Sequence, residues 1–272
     1  MKIAVLQMVS SPNVADNLAC AHNLVAQAAG QGAELLVLPE YFCGMGCKDT
    51  DKLAWAEVFN QGPIQRAMAD WAQKHGVWLV GGTVPIQTDD PSMVRNTCML
   101  FAPDGRLVTH YDKIHLFRFA TPSERYDESV VIEPGNQPVV AEVTDRSGRA
   151  WKLGLSVCYD LRFPELYRAL VEQGAQVLLC PAAFTHTTGQ AHWEVLLRAR
   201  AVENQCWMLA AAQGGQHING RQTWGHSMVV DPWGQILAQQ QAAGSGITYA
   251  VLDPDFLQQV RLRLPALEHR CL

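Results

Sequence analysis

The stretch Lys152-Leu153-Gly154-Leu155-Ser156-Val157-Cys158-Tyr159-Asp160-Leu161-Arg162-Phe163-Pro164-Glu165 decides how the rest of the chain is read. Residues 152–157 are a short, mostly apolar run, the pattern of a buried strand. Pro164 suits the first turn of a helix, predicted over 164–173, because its missing N–H is not needed there. A strand that turns sharply into a helix leaves Cys158 at the elbow, open to a ligand and close to backbone N–H donors. Those surroundings favour a thiolate and can hold an oxyanion.

The same alternation extends in both directions. Residues 2–8 form an apolar run. Residues 14–29 carry apolar side chains at helical spacing (Val14, Leu18, Ala21, Val25, Ala28) behind Asn13 as a cap, and 35–38 form a second buried strand stopped by Pro39. Helix then strand is predicted again at 64–74 and 77–81, at 164–173 and 176–179, and at 192–204 and 207–212. Further strands are predicted at 96–101, 106–111, 139–143, 226–231, 235–238 and 248–252. Ala102-Pro103-Asp104-Gly105 and Asp231-Pro232-Trp233-Gly234 read as hairpin turns. This order implies an α/β fold with layered elements around a mixed sheet. No Gly/Ser/Pro-rich linker divides the chain, so residues 1–272 are read as one domain. Residues 117–137 lack periodicity and hold Pro122, Pro134 and Gly135; a long irregular loop is a functional suspect.

The chain has 272 residues, 48% hydrophobic and 17% charged, which excludes a disordered chain. With a net charge of −5 and scattered Lys and Arg, it lacks the basic footprint of a nucleic-acid binder. Eight irregularly spaced cysteines at this length read as free thiols in a reducing compartment. The start of the chain turns polar at Gln7, unlike a signal peptide, and no run of 18 apolar residues predicts a membrane span. The expectation is a cytoplasmic globular protein.

Three strand ends carry candidate chemistry. Glu40 follows the strand at 35–38 at a sheet edge, where α/β proteins place ligands; a loop acid capping the next element is the plain alternative. Lys113 leaves the strand at 106–111, although most such lysines snorkel to water. Cys158 stands at the elbow, against the alternative of a buried structural thiol, which is the reading adopted for Cys98, Cys180 and Cys206. A Cys–His pair through His115 is also open, since on a strand it would share a face with Lys113. Cys43 and Cys47 lack a second Cys/His pair, so no zinc site is expected.

Taken together, Leu38-Pro39-Glu40, Asp112-Lys113-Ile114-His115-Leu116-Phe117 and Cys158-Tyr159-Asp160-Leu161-Arg162-Phe163-Pro164-Glu165-Leu166 resemble, in order and spacing, the Glu–Lys–Cys signature of the nitrilase (carbon–nitrogen hydrolase) superfamily. The resemblance spans essentially the whole chain, including residues 225–234 and 260–270. Residues 188–207 and 210–215 resemble the branch acting on deaminated glutathione more than the omega-amidase branch. It implies a four-layer α-β-β-α sandwich with mixed sheets, no metal or other cofactor, a small-molecule amide substrate, and homodimers or larger assemblies built across the helices around the cysteine. Carried over, Cys158 is the nucleophile, Glu40 the general base, Lys113 the cationic stabiliser and Glu128 the second glutamate orienting substrate and lysine, with Glu124 and Glu133 in the same loop as rivals.

An amide is a poor electrophile with a poor leaving group, and a cysteine splits its hydrolysis into thioester formation and thioester hydrolysis. Lys113 and the backbone N–H of Tyr159 are expected to hold the oxyanion. A dianionic substrate calls for arginine anchors. Arg118 and Arg125 in the irregular loop are expected there, with Arg198 and Arg200 as further candidates, and Phe184 and Thr185 are expected to line the pocket. Arg162 is read as structural, positioned by Asp160 or Glu165. The same residues would also serve an omega-amidase or an N-carbamoyl amide hydrolase, and a catalytically silent binding protein of this fold is the reading from another class.

Overall fold

The computed structural model describes residues 1–122 and 125–271. Its elements run β1 (Lys2–Gln7), α1 (Val14–Gly30), β2 (Leu35–Val37), α2 (Asp51–Trp55), α3 (Pro63–His75), β3 (Trp78–Val80), β4 (Val84–Gln87), β5 (Val94–Phe101) and β6 (Leu107–Asp112). There follow β7 (Arg118–Ala120), β8 (Arg125–Asp127), β9 (Val139–Thr144), β10 (Ala150–Leu155), α4 (Pro164–Glu172), β11 (Val177–Leu179), α5 (His186–Asn204) and β12 (Trp207–Ala210). The chain finishes with β13 (Gly214–Gln216), β14 (Gln222–Trp224), β15 (Met228–Val230), β16 (Ile236–Gln239), β17 (Gly246–Val251) and α6 (Pro254–Arg263).

The strands form two sheets of like design. In the first, β1, β2 and β3 are parallel, with β17 antiparallel to β1 and the β4–β5–β6 group antiparallel beyond β3. In the second, β10, β11 and β12 are parallel, flanked by antiparallel β9 and by β15 with β16. Strand alternation sorts the first sheet's side chains into two seams. Ile3, Val5, Leu35 and Val37 pack towards Leu153, Leu155 and Leu179 of the second sheet. Ala4, Leu6, Leu36 and Leu38 pack against Ala21 and Val25 of α1 and Ile64 and Met68 of α3. Tyr167 and Leu170 of α4 and Trp193 and Leu197 of α5 join the core on the second sheet's side. The result is the four-layer α-β-β-α sandwich, held by apolar side chains worth roughly 1.5–3 kcal/mol each on burial.

Helix ends follow their local chemistry. Asn13 caps α1 by accepting from the N–H of Ala15 at 2.9 Å, and Pro164 opens α4. Helix α5 begins at His186, six residues before the predicted 192, because Thr185 caps it there. Unforeseen elements are α2, β4, the hairpins β7–β8 and β13–β14, and α6. The N–H of Met8 donates to Ala212 O and that of Gly214 to Met8 O, tying the two sheets together just beyond β1 and β12. This is the end of the sandwich towards which both parallel sets run.

Candidate active site

Glu40 stands three residues beyond β2 and is buried. Gly82 makes its approach possible: at φ +50° it lies so close that a Cβ would fall 2.0 Å from Pro39 O. The carboxylate is fully engaged. Oε1 accepts from Lys113 Nζ and from Asn96 Nδ2, each at 2.9 Å, and Oε2 accepts from the N–H of Ala183 at 2.9 Å.

Lys113 follows β6 and is 0% exposed. Its ammonium donates to Glu40 and to both oxygens of Glu128, at 2.9 and 2.7 Å. Glu128 belongs to a short 3-10 turn after β8 and accepts further bonds from the Tyr41 hydroxyl and the N–H of Phe117, both at 2.7 Å. Glu128 is thus the loop glutamate that meets the lysine. Glu133 pairs instead with Arg95, and Glu124 lies outside the described residues.

Cys158 opens a 3-10 turn, Cys158–Arg162, three residues after β10. The strand begins and ends two residues earlier than the sequence implies, and the elbow is sharper: Cys158 has φ 49°, a left-handed conformation that costs a non-glycine residue strain. The thiol lies close enough to the Glu40 carboxylate for each group to shift the other's pKa. In this turn the N–H of Cys158 donates to Pro181 O and that of Asp160 to Val157 O, which leaves Tyr159 as the remaining first-turn amide.

A cleft lined by Phe117, Cys158, Tyr159, Arg162, Phe184 and Thr185 leads to the sulfur. Its interior is about 10 Å³, the room of one water, so a larger substrate must displace the rings that wall it. Phe184 and Thr185 stand where expected. Arg118 and Arg125 do not: both lie exposed on the β7–β8 hairpin, Arg118 beside Asp127 at 3.3 Å, and neither lines the cleft. Arg198 pairs with Glu194 and Gly234 O, and Arg200 with Glu203 and Leu161 O.

The arginine at the cleft is Arg162, and the pairing with Asp160 or Glu165 expected of it is not found among the described residues. Asp160 is taken by the Tyr111 hydroxyl, the N–H of Val157 and His115, and Arg162 forms no ion pair among the described residues. Its guanidinium instead lies 5.7 Å over the Tyr159 ring and 5.4 Å over that of Phe184, with His192 Nδ1 at 3.2 Å. His115 is stacked on Phe163 and held by Asp160, which removes it as a partner for Cys158. Cys98, Cys180 and Cys206 are buried as expected. Asn96, Tyr41 and Ala183 carry no motif that sequence reading could have used. Among the described residues no three His, Cys, Asp or Glu side chains are grouped to hold a metal ion, and no helix is long and apolar enough to cross a membrane.

The site separates its two glutamates. Burial and the charge of Glu128 raise the pKa of Glu40 against the pull of Lys113. Burial acts on Glu128 in the same sense, but the Lys113 ammonium and the donors from Phe117 and Tyr41 carry it below the ordinary value. Lys113 is held well above its usual range, because its two carboxylate partners outweigh burial. Burial and the Glu40 charge push the Cys158 thiol well up. Two carboxylates whose environments drive them apart divide proton transfer from fixed charge.

Residues 2–262 match the family model described as Carbon-nitrogen hydrolase. The chain belongs to this carbon–nitrogen hydrolase family. It is 44% identical over 271 residues to the deaminated glutathione amidase of Synechocystis sp., covering 98% of this chain and 97% of that protein. It is 37% identical over 275 residues to omega-amidase NIT2 of Danio rerio, covering 99% and 94%. Among solved structures it resembles a mutant amidase of Nesterenkonia sp. AN1 that carries acrylamide on its active site cysteine, at 31% identity and a TM-score of 0.76, covering 97% of this chain and 98% of that one. The family hydrolase acts on carbon–nitrogen bonds of amides, and the nitrilase-type sandwich is shared.

Proposed function

We propose that this enzyme hydrolyses deaminated glutathione to 2-oxoglutarate and cysteinylglycine through a thioester on Cys158. The observation that carries the reading is the meeting of Cys158, Glu40 and Lys113 at one buried point, with Glu128 behind the lysine. With the thiol pKa pushed up, little standing thiolate is present, so the nucleophile has to be made as it attacks. Glu40 takes the thiol proton while sulfur bonds to the amide carbon. The oxygen gathers charge beside Lys113 and the N–H of Tyr159. Collapse breaks the carbon–nitrogen bond as Glu40 passes its proton to the departing amine of cysteinylglycine. Glu40 then removes a proton from water, which attacks the thioester and releases 2-oxoglutarate and the thiol. Lys113 has three hydrogens and three carboxylate acceptors, so serving the oxyanion requires it to loosen one bond to Glu128.

Arg162 supplies the anionic recognition that Arg118 and Arg125 were expected to supply. Among the described residues it has no carboxylate partner, and it is stacked on rings at the cleft, four residues from the nucleophile. A carboxylate of the substrate fits its planar fork. The narrow cleft favours a second reading, hydrolysis of the smaller 2-oxoglutaramate by the same residues.

The same reading takes the chain as one hydrolase domain, working in the cytoplasm without a cofactor, with eight free cysteines in support. It also takes the enzyme as a homodimer or larger assembly across the outer face of α5, where Val195, Val202 and the neighbouring Trp233 are exposed. Purified enzyme tested on 2-oxoglutaryl-cysteinylglycine, 2-oxoglutaramate and an N-carbamoyl amino acid is expected to prefer the first. Equal or faster turnover of the second would move the assignment to an omega-amidase, and no turnover of any would leave a silent binding protein.

A further inference from the structure

A second arginine stands beyond the cleft. Tyr159 meets Phe117 edge-on at 5.2 Å between ring centroids, and Phe117 meets Tyr126 of β8 at 5.8 Å. This row of rings carries a guanidinium at each end. Arg162 lies over Tyr159, and Arg221, at the start of the β14 arm of its hairpin, lies 4.8 Å over Tyr126. Arg221 is half-buried, its N–H and C=O are tied to Asn219 and His217, and no carboxylate lies within ion-pair distance of its guanidinium among the described residues.

Behind it stands a further cation. Lys52 of α2 has a side chain 11% exposed, sits 5.1 Å over the ring of Tyr41, and donates to Asp49 O at 3.4 Å and to the half-exposed Asp49 carboxylate at 3.5 Å. The hydroxyl of that same Tyr41 donates to Glu128. Burial, together with the like charge of Arg221, holds the Lys52 pKa down. On this side of the site Lys113 meets Glu40 and Glu128 and Lys52 meets Asp49, which leaves Arg221 as the cation without a carboxylate among the described residues. The imbalance favours a further anion near the outermost cation, where water still reaches it.

We infer that Arg221, backed by Lys52, is a second anion subsite that takes the glycine carboxylate of the leaving group, while Arg162 takes the 2-oxo-acid end. The inference rests on the substrate class proposed above. It assigns the ends by distance. Arg162 lines the cleft together with Cys158, whereas Arg221 stands at the far end of the ring row, beyond Phe117 and over Tyr126. A subsite of this kind discriminates by charge: a substrate without the far carboxylate leaves Arg221 unpaired. It would separate a peptide-bearing amide from a short omega-amide, which ends before Tyr126.

The test compares 2-oxoglutaryl-cysteinylglycine with the same compound carrying a glycine amide in place of the free carboxylate, in wild-type enzyme and in Arg221→Gln. Wild type is expected to prefer the free acid about tenfold in kcat/KM, chiefly through KM. Arg221→Gln is expected to lose that preference. The ratio is taken within one preparation, so it does not depend on how much of the variant is folded. Arg221→Lys is expected to restore part of it. A variant with measurable turnover that keeps the wild-type preference overturns the subsite. Wild-type enzyme that hydrolyses neither compound but does hydrolyse 2-oxoglutaramate overturns the substrate assignment itself.

Discussion

Lys113 Nζ stands 2.9 Å from Glu40 Oε1, on the oxygen that also accepts from Asn96, while Oε2 is held by the N–H of Ala183. The base is therefore locked in orientation by three donors drawn from three different strand ends. A carboxylate so fixed can exchange a proton with Cys158 without first reorganising.

Replacing Glu40 by Gln keeps shape and removes basicity. The expected outcome is a fall in kcat of about 100- to 10,000-fold with little change in KM. Steady-state kinetics on 2-oxoglutaryl-cysteinylglycine check it. A variant with near-normal kcat would remove Glu40 from proton transfer.

The pH profile carries the opposed shifts of the two glutamates. Glu40 must be ionised to act, and its pKa is raised, so kcat/KM is expected to climb with pH through a midpoint above the ordinary glutamate value of about 4.3. The thiol lies well above its usual range, so no gain from thiolate formation is expected near neutrality. Glu128→Gln removes a negative charge that raises Glu40, and the midpoint should move to lower pH. A midpoint that rises in this variant would contradict the assignment.

Lys113 is fully buried and bonded to two carboxylates, Glu40 and Glu128. Lys113→Met leaves both without it, a change expected to cost about 3–5 kcal/mol. Thermal unfolding should show a drop on the order of 10 °C for a chain of this size, with part recovered in Lys113→Met/Glu128→Gln. An unchanged Tm would mean that the pair contributes nothing to the fold.

Arg162 is expected to act through charge. Arg162→Gln should lower kcat/KM for the anionic substrate about tenfold to a hundredfold, the range of a charged hydrogen bond, and leave a simple uncharged amide nearly unaffected. Arg162→Lys should not restore it, because a point charge cannot replace a stacked planar fork. Equal losses on both amides would make Arg162 a structural residue of the elbow.

The layers were legible because burial writes itself into short apolar runs. Residues 35–38 and 176–179 are buried on both faces of parallel sheets, and their strands lie within one residue of the prediction. Glu40, Lys113 and Cys158 were legible as strand-end residues in a family order. Glu128 was placed by its match to the family's second glutamate, and the bond to Lys113 agrees with it. Arg162 was misread because nearby acids in sequence suggested an ion pair, whereas Asp160 is occupied by Tyr111, Val157 and His115. Arg118 and Arg125 were favoured by their loop, but a hairpin register decides which side chains turn outward, and that register is not written in charge. Arg221 follows an Asn-Gly turn and reaches the site only because its hairpin folds over Tyr126, a contact far apart in sequence.

The central claim is a covalent bond between Cys158 and the 2-oxoglutaryl group. Enzyme quenched in acid during turnover of 2-oxoglutaryl-cysteinylglycine, digested and analysed by mass spectrometry, should carry that acyl group on the peptide containing Cys158, and Cys158→Ala should show neither adduct nor turnover. Sustained hydrolysis by Cys158→Ala, or an adduct on any other residue, would contradict the account.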